Sequence, residues 1–70
     1  MARNNGRTVY LRTDGRWANK ANDAIKASGI HESQVEACAM AVQMLQESGG
    51  GDLTVKGENG EIERRQVGGV

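Results

Sequence analysis

Few residues of this 70-residue chain could carry out chemistry. His31 is the only histidine, and Glu32 separates it from Ser33. A general base needs a positioned partner and a nucleophile within reach, but the Ser33 hydroxyl is better explained as a helix cap. We therefore expect His31 to be a solvated loop residue, and we predict no catalytic residue in the chain.

The only cysteine, Cys38, falls on the apolar side of a predicted helix, close to Val35 and Val42. A catalytic thiol needs a partly exposed, electropositive site, so we interpret Cys38 as a small hydrophobic core residue. A single cysteine cannot form an intramolecular disulfide, and its presence fits a reducing compartment. We therefore expect the protein to be cytoplasmic.

Metal and cofactor sites are not indicated by the remaining polar residues. Four acidic residues near the C-terminus lack the Asp-x-Asp-x-Asp-Gly spacing of a calcium loop: Asp52, Glu58, Glu61 and Glu63. The glycine run at residues 49–51 ends a predicted helix, whereas a phosphate-binding loop opens one with Gly-Lys-Ser/Thr. We expect no metal and no cofactor.

One cluster of cations around an aromatic residue could bind nucleic acid. It lies on the outward face of the first predicted hairpin and comprises Tyr10, Arg12, Arg16 and Lys20. Such side chains contact phosphates and stack on bases, although a solvent-facing polar sheet surface has much the same composition. Nucleic-acid binding is therefore our alternative hypothesis for the function.

The charges are balanced overall but divided between the two halves of the chain. Nine basic and nine acidic residues give a formal net charge of zero. Residues 1–30 carry six basic and two acidic residues, and residues 31–70 carry three basic and seven acidic ones. We interpret the halves as complementary surfaces that meet within the fold or across a dimer, in preference to one polyanion-binding half.

The first hairpin is predicted from Asp14-Gly15. A three-residue loop over residues 13–15, with Gly15 left-handed, pairs Leu11 with Trp17 and places both on one face with Val9. A two-residue loop would place Trp17 with the outward residues, because a shift of one residue exchanges the faces. Burial of the only tryptophan favours the three-residue loop.

The inward face of this hairpin then contains one polar residue, Asn19, opposite Val9. A buried amide must find a hydrogen-bond partner or lie near an edge. Residues 27–30 could add a short third strand with Ile30 inward.

A helix is predicted from about Gln34 to about Ser48. Ser33 and Glu36 form a capping box at its start, and the glycines at 49–51 end it. The 3.6-residue period predicts a core-facing stripe, consisting of Val35, Cys38, Val42 and Leu45 with Ala39 at its margin.

The apolar surface of this helix extends beyond the predicted stripe. Small residues allow close approach of another chain, and methionine fills irregular gaps. We therefore predict that the protein forms a homodimer through the helix, with an interface made by Ala37, Met40, Ala41 and Met44.

A second hairpin is predicted around Asn59-Gly60. A two-residue loop and a four-residue loop have the same parity, so both place Leu53, Val55 and Ile62 inward. Both also place Glu63 and Arg65 outward.

These elements predict an α+β fold in which two β-hairpins form an antiparallel sheet with a single helix on one face. We expect a disordered tail at residues 1–6, one domain at 7–65 and a flexible tail at 66–70. A core of this size supplies only about 3–5 kcal/mol, which is a second reason to expect self-association.

The order of motifs resembles a known family. An Asp-Gly turn leads to Trp17-Ala18, Ser33-Gln34-Val35-Glu36-Ala37 opens an alanine-rich helix, and Lys56-Gly57-Glu58-Asn59-Gly60-Glu61-Ile62 closes the pattern. This order is similar to that of domain-of-unknown-function family 2188, a group of small bacterial and phage-borne proteins. The resemblance spans about residues 8–65 and implies a compact hairpin–helix–hairpin protein, with no reaction that can be assigned to a residue.

Together these observations favour a small, non-enzymatic protein-interaction module with an unknown protein partner. No stretch approaches the roughly 18 apolar residues of a membrane span, and the polar N-terminus is unlike a secretory signal. We therefore expect no membrane association.

Overall fold

The computed structural model of the protein describes residues 6–69, which form five strands and one helix. Their bounds are Arg7–Leu11 (β1), Trp17–Ala21 (β2), Gly29–His31 (β3), Gln34–Glu47 (α1), Gly50–Lys56 (β4) and Ile62–Gly68 (β5). The tail predicted at residues 1–6 lies outside the described residues except for Gly6, whose carbonyl oxygen accepts a hydrogen bond from the Asn22 N–H at 2.9 Å.

The five strands form one sheet in the order β3-β2-β1-β4-β5, with α1 against one face. The predicted α+β class is confirmed, but the sheet is mixed because β1 and β4 are parallel. This pairing follows from the connection. A 14-residue helix spans about 21 Å, so it carries the chain back along the sheet, and the next strand runs in the same direction as β3 and β1.

The first hairpin has the predicted three-residue loop. Leu11 pairs with Trp17 and Val9 with Asn19, and the Arg12 N–H donates to the Arg16 carbonyl at 2.7 Å. Gly15 has a φ of 85°, in the left-handed region that glycine adopts without strain.

The second hairpin also has a three-residue loop, which contradicts the predicted parity. The Gly57 N–H donates to the Glu61 carbonyl at 2.7 Å, so Lys56 pairs with Ile62 and Val55 with Glu63. Only Gly60 needs a positive φ in this loop (82°), and no described non-glycine residue has one. A two-residue type I′ turn would require positive φ at Asn59 as well, which the three-residue loop avoids.

The changed parity exchanges the faces of the last strand. Ile62 lies on the face away from the helix and is 61% exposed, where the prediction placed it inward. Glu63 and Arg65 lie on the helix face, because they pair with the buried residues Val55 and Leu53. The sequence therefore predicted the wrong face of the sheet for Ile62, Glu63 and Arg65.

The C-terminal tail predicted at residues 66–70 is also corrected. Residues 66–68 belong to β5 and pair with residues 50–52 of β4. Val67 packs against the core from this strand, so the domain extends beyond the predicted boundary at residue 65.

The helix begins and ends as predicted. The Ser33 hydroxyl accepts a hydrogen bond from the Glu36 N–H at 3.2 Å, and Gly49 follows the C-cap residue Ser48 with a φ of 100°. These contacts satisfy backbone groups that a helix leaves unpaired at its ends.

The side of the helix that faces the sheet differs from the prediction. Ala37, Ala41 and Leu45 are buried, whereas Val35 is 79% exposed. Cys38 and Val42 pack at the margin of the core. The apolar arc was wide enough to allow several orientations, and the chosen one places two alanines at its centre because their small side chains let the helix approach the sheet closely.

The third strand exists, but its orientation was predicted incorrectly. Ala18 pairs with Ile30 and Trp17 with His31, so Ile30 lies on the face away from the helix and His31 lies on the helix face. His31 is therefore a strand residue, half-buried, and not a solvated loop residue.

Asn19 is fully buried in the second strand and finds partners on both sides. Its Oδ1 accepts a hydrogen bond from Arg7 Nε at 2.9 Å, and its Nδ2 donates to Met44 Sδ at 3.4 Å. Arg7 also donates to the Ser28 hydroxyl. These contacts remove the cost of burying an unpaired amide.

Enlarging the alanine at the centre of the helix tests this packing. We expect Ala41→Leu to lower the free energy of unfolding by about 1–3 kcal/mol, because the extra atoms have no space between helix and sheet. Urea denaturation followed by circular dichroism measures the change.

Ala39→Leu is the matched control, since Ala39 is on the exposed side of the same helix. We expect its effect to stay within about 0.5 kcal/mol. Equal losses in the two variants would contradict the observed orientation of the helix.

Candidate functional site

The helix surface predicted as a dimer interface is largely inside the protein. Ala37 and Ala41 have no exposed surface, because they face the sheet. Met40 is 38% exposed, and Met44 is half-buried beside Asn19. Two of the four predicted residues therefore cannot touch a partner, and that part of the prediction is wrong. The other two leave only a small apolar patch.

The predicted nucleic-acid residues lie in two parts of the first hairpin. Tyr10 and Lys20 lie on the face of the sheet that is away from the helix, as their pairing with Ala18 and Thr8 requires. Arg12 and Arg16 lie at the turn of the first hairpin.

Both arginines are next to carboxylates. Arg12 Nη2 is 3.4 Å from an Asp14 oxygen, and Arg16 Nε is 3.8 Å from a Glu32 oxygen. These exposed pairs are weak, but they reduce the local excess of positive charge at the turn.

The face of the sheet away from the helix, which we call the open face, contains cations that the sequence analysis did not group. Cross-strand pairing places four residues in one row across β2, β1, β4 and β5: Lys20, Thr8, Thr54 and Arg64. Lys56 and Ile62 form a neighbouring pair on the same face. No local signal joins these residues, because the row depends on the parallel pairing of two distant strands.

The ammonium group of Lys20 is held in place at one end of this row. Its Nζ donates to the carbonyl oxygens of Ala24 at 2.6 Å and Ala21 at 3.1 Å. An ammonium has three donors, so one remains for another acceptor, and the positive charge is fixed on this face.

The two edges of the sheet differ in length. β3 is a three-residue edge, whereas β5 is a seven-residue edge whose register with β4 is unbroken from Ile62 to Gly68. Six of the seven β5 residues are exposed. An edge strand presents unpaired N–H and C=O groups, and a long one can pair with another strand.

An ion pair and a thiol line the groove between β5 and α1. Arg65 Nη2 is 3.0 Å from a Glu63 oxygen, and both residues line a groove of about 270 Å³ together with Cys38 and Val35. Burial raises the pKa of the Cys38 thiol, the nearby Arg65 lowers it, and Glu63 raises it further. A thiol with a raised pKa is a poor nucleophile at neutral pH.

The histidine is not assembled into a catalytic group. His31 Nε2 is buried and has no hydrogen-bond partner among residues 6–69, and the ring lies against Gly29, where an added Cβ would be 3.0 Å from that nitrogen. Ser33, its nearest hydroxyl in sequence, is the helix cap.

Metal-binding and membrane-spanning features were also sought within residues 6–69. In that part of the chain there is no group of three or more His, Cys, Asp or Glu residues arranged to hold a metal ion. The single described helix is too short and too polar to cross a membrane.

The chain was compared with known protein families, curated proteins and solved structures. The sequence profile of a family described as an uncharacterised protein conserved in bacteria (DUF2188) matches residues 7–67. No curated protein and no solved structure matches the chain.

The reactivity of Cys38 tests the geometry of the groove. We expect its alkylation rate to reach half-maximum at a higher pH than that of a cysteine in an unstructured peptide, because the folded protein raises its pKa. Iodoacetamide labelling that is quenched at set times and followed by mass spectrometry measures the rate at each pH.

Two neutralising variants should shift this rate in opposite directions. Arg65→Gln removes a cation that lowers the pKa of Cys38, so labelling at a fixed pH should slow. Glu63→Gln removes an anion that raises it, so labelling should accelerate. Shifts of the same sign in both variants would contradict the placement of the ion pair beside the thiol.

Proposed function

The chain belongs to the DUF2188 family of uncharacterised bacterial proteins, and we propose that it acts without catalysing a reaction, as a homodimeric protein-interaction module. The observation that carries the proposal is the long β5 edge with the ion pair Glu63–Arg65 on its helix face. In this proposal the two copies join edge to edge, and β5 of each extends the sheet of the other.

The β5 edge lacks most of the features that protect natural sheet edges from pairing. Proteins shorten such strands, place proline in them or interrupt them with a bulge. β5 has seven residues, the chain contains no proline, and the β4–β5 register shows no interruption. Inward-pointing charges are another protective feature, but here they occur as an oppositely charged pair.

The backbone geometry specifies which residues of β5 would pair. The hydrogen bond from Gly57 to Glu61 marks the first bonded pair of the hairpin, and bonded pairs alternate in an antiparallel ladder. The peptide groups of residues 63, 65 and 67 therefore point to β4. Those of Ile62, Arg64 and Gln66 point to the free edge.

Charge complementarity selects one register for two antiparallel copies of β5. If Arg64 lies opposite Arg64 of a second copy, each Glu63 lies opposite an Arg65 of the other copy. This register therefore sets two Glu–Arg pairs against one Arg64–Arg64 pair. Glu63 and Arg65 occupy non-hydrogen-bonded positions, where side chains approach most closely. A shift of the centre to Glu63 or to Arg65 also places identical charges opposite each other and loses both Glu63–Arg65 pairs, so it is less favourable.

The proposal retains self-association from the sequence analysis but moves it from the helix to the sheet edge. A small core gains stability when folding is coupled to association. We place this dimer in the cytoplasm, where a single thiol that is half-buried and has a raised pKa would remain reduced. Its heterologous protein partner stays unidentified.

Charge reversal on β5 provides the sharpest test. We expect Glu63→Arg and Arg65→Glu each to be monomeric, because each places like charges opposite each other in the selected register. Mixing the two variants in equal amounts should restore a dimer, since positions 63 and 65 of the two chains then pair as Arg with Glu. Sedimentation velocity distinguishes the 7.5 kDa monomer from the dimer.

The double variant Glu63→Arg/Arg65→Glu is the matched control, because it exchanges the charges and keeps them complementary. It should dimerise like the unmodified protein. If the unmodified protein is a 7.5 kDa monomer at micromolar concentration, or if the single variants keep the dimer mass, the proposal is wrong.

A second prediction separates the sheet edge from the helix. Met40→Glu introduces a charge at a partly exposed residue of α1 that does not line the groove beside β5, so we expect the dimer mass to stay the same. Loss of the dimer in this variant, with circular dichroism unchanged, would favour the helix as the interface.

A further inference from the structure

We propose that the open face of the sheet binds single-stranded nucleic acid, with phosphates on its cations and a base on Tyr10. This binding site shares only Arg64 with the β5 edge and does not depend on dimerisation. The cations on this face favour a polyanion as the ligand, and the aromatic residue favours one with exposed bases.

Two fixed rows of side chains form the site. The first consists of Lys20, Thr8, Thr54 and Arg64, with a cation at each end. Adjacent strands are about 4.8 Å apart, so its ends are separated by about 14 Å. A backbone that crosses the strands can therefore contact both cations and the Thr54 hydroxyl between them, whereas the Thr8 hydroxyl donates a hydrogen bond to Asn22 Oδ1 at 2.6 Å.

The second row places an aromatic ring beside another cation. Tyr10 pairs with Ala18, and Lys56 pairs with Ile62. The parallel register of Val9 with Val55, continued by one residue, brings Tyr10 next to Lys56. A ring next to a cation is the arrangement that proteins use to stack a base while they hold its phosphate.

Ala18 shows how the second row is packed. It points to the open face and yet has no exposed surface. Its cross-strand neighbours on that face are Tyr10 and Ile30, which are the side chains large enough to cover it. We infer from this burial that the two side chains pack over Ala18, an arrangement in which one side of the Tyr10 ring faces the sheet and the other is available for stacking.

The molecule is electrically polarised in the direction that this site needs. The strand residues on the open face include three cations, Lys20, Lys56 and Arg64, and one anion, Asp52. On the opposite side, the helix carries Glu36 and Glu47 and no cation. The strands on that face add Arg7, Arg65 and Glu63, so this side has three anions and two cations. The field of the protein therefore favours approach of a polyanion to the open face, although the net charge is zero.

The shape of the site favours a single strand over a duplex. The major groove of DNA is about 12 Å wide and admits a helix or a two-stranded ribbon, whereas this surface spans five strands. The element that would fit a groove, α1, is acidic and packed against the sheet. Single strands present unstacked bases to a surface of this kind.

The test uses fluorescence anisotropy with a labelled oligouridylate and a labelled oligothymidylate, titrated at several salt concentrations. Lys56→Gln and Lys20→Gln should each reduce the slope of log K against log salt by about 0.7. A reduction of this size means that each variant binds the oligonucleotide about eightfold more weakly than the unmodified protein at about 50 mM salt. Tyr10→Ala should weaken binding by roughly fivefold or more, through loss of stacking.

Each variant has a matched control. Lys26→Gln removes the same charge from an exposed residue outside the two rows, and it should leave the affinity almost unchanged. Tyr10→Phe keeps the ring and should bind like the unmodified protein. Arg64→Gln provides a second phosphate-contact variant if Lys20→Gln disturbs the loop that its ammonium holds, and circular dichroism verifies the fold of each.

Several outcomes would overturn the proposal. The first is that the protein binds neither oligonucleotide at low salt. The second is that Lys26→Gln and Lys56→Gln weaken oligonucleotide binding equally. The third is that the protein binds heparin or duplex DNA as tightly as the single strands. An open face that is covered by a second copy of the chain would also contradict it. In that case Tyr10→Ala and Lys56→Gln would reduce the mass in solution, whereas the β5 charge reversals would not.

Discussion

The parallel contact between β1 and β4 is the interaction on which the other features of the protein depend. Two hairpins that are each stable only with a partner become one sheet when Thr8 pairs with Thr54 and Val9 with Val55. This contact places the buried valines under the helix. It also joins distant hydroxyl groups and cations in one row on the opposite face. Because β4 occupies the position beside β1, its hairpin partner β5 becomes the outer edge.

The helix rests on this sheet through its smallest residues. Ala37 and Ala41 bring its backbone close to the strands. The core therefore stays almost completely buried although it contains few large side chains, such as Trp17 and Leu45. The small number of elements also leaves parts of the sheet uncovered. One helix can cover only one face of the sheet, and it reaches the β5 edge only at its margin. A small protein with two uncovered surfaces has more than one place at which to meet other molecules.

Elements governed by local chemistry could be predicted from the sequence. The cap at Ser33, the glycine after Ser48, the α+β class and the first hairpin agree with the structure, as does the pairing of Leu11 with Trp17. The second hairpin was predicted with the wrong parity, because two loop types share the same Asn-Gly signal and differ by one residue. The expected burial of Ile62 favoured the wrong loop type, because an isoleucine was expected to face the core. The structure instead places charged residues over the groove and exposes Ile62.

The sequence by itself determined where the chain turns, where the helix begins and ends, and that its apolar surface is wide, because each of these depends on neighbouring residues. It also indicated Tyr10 and Lys20 as outward residues of one hairpin. Only the tertiary structure decided which side of the helix is buried and that Arg64 and Lys56 join those two residues on the open face. It also decided that Glu63 and Arg65 lie on the helix face of the edge strand β5. Those outcomes depend on the register between strands far apart in the chain, and a shift of one residue in that register moves every side chain of a strand to the opposite face.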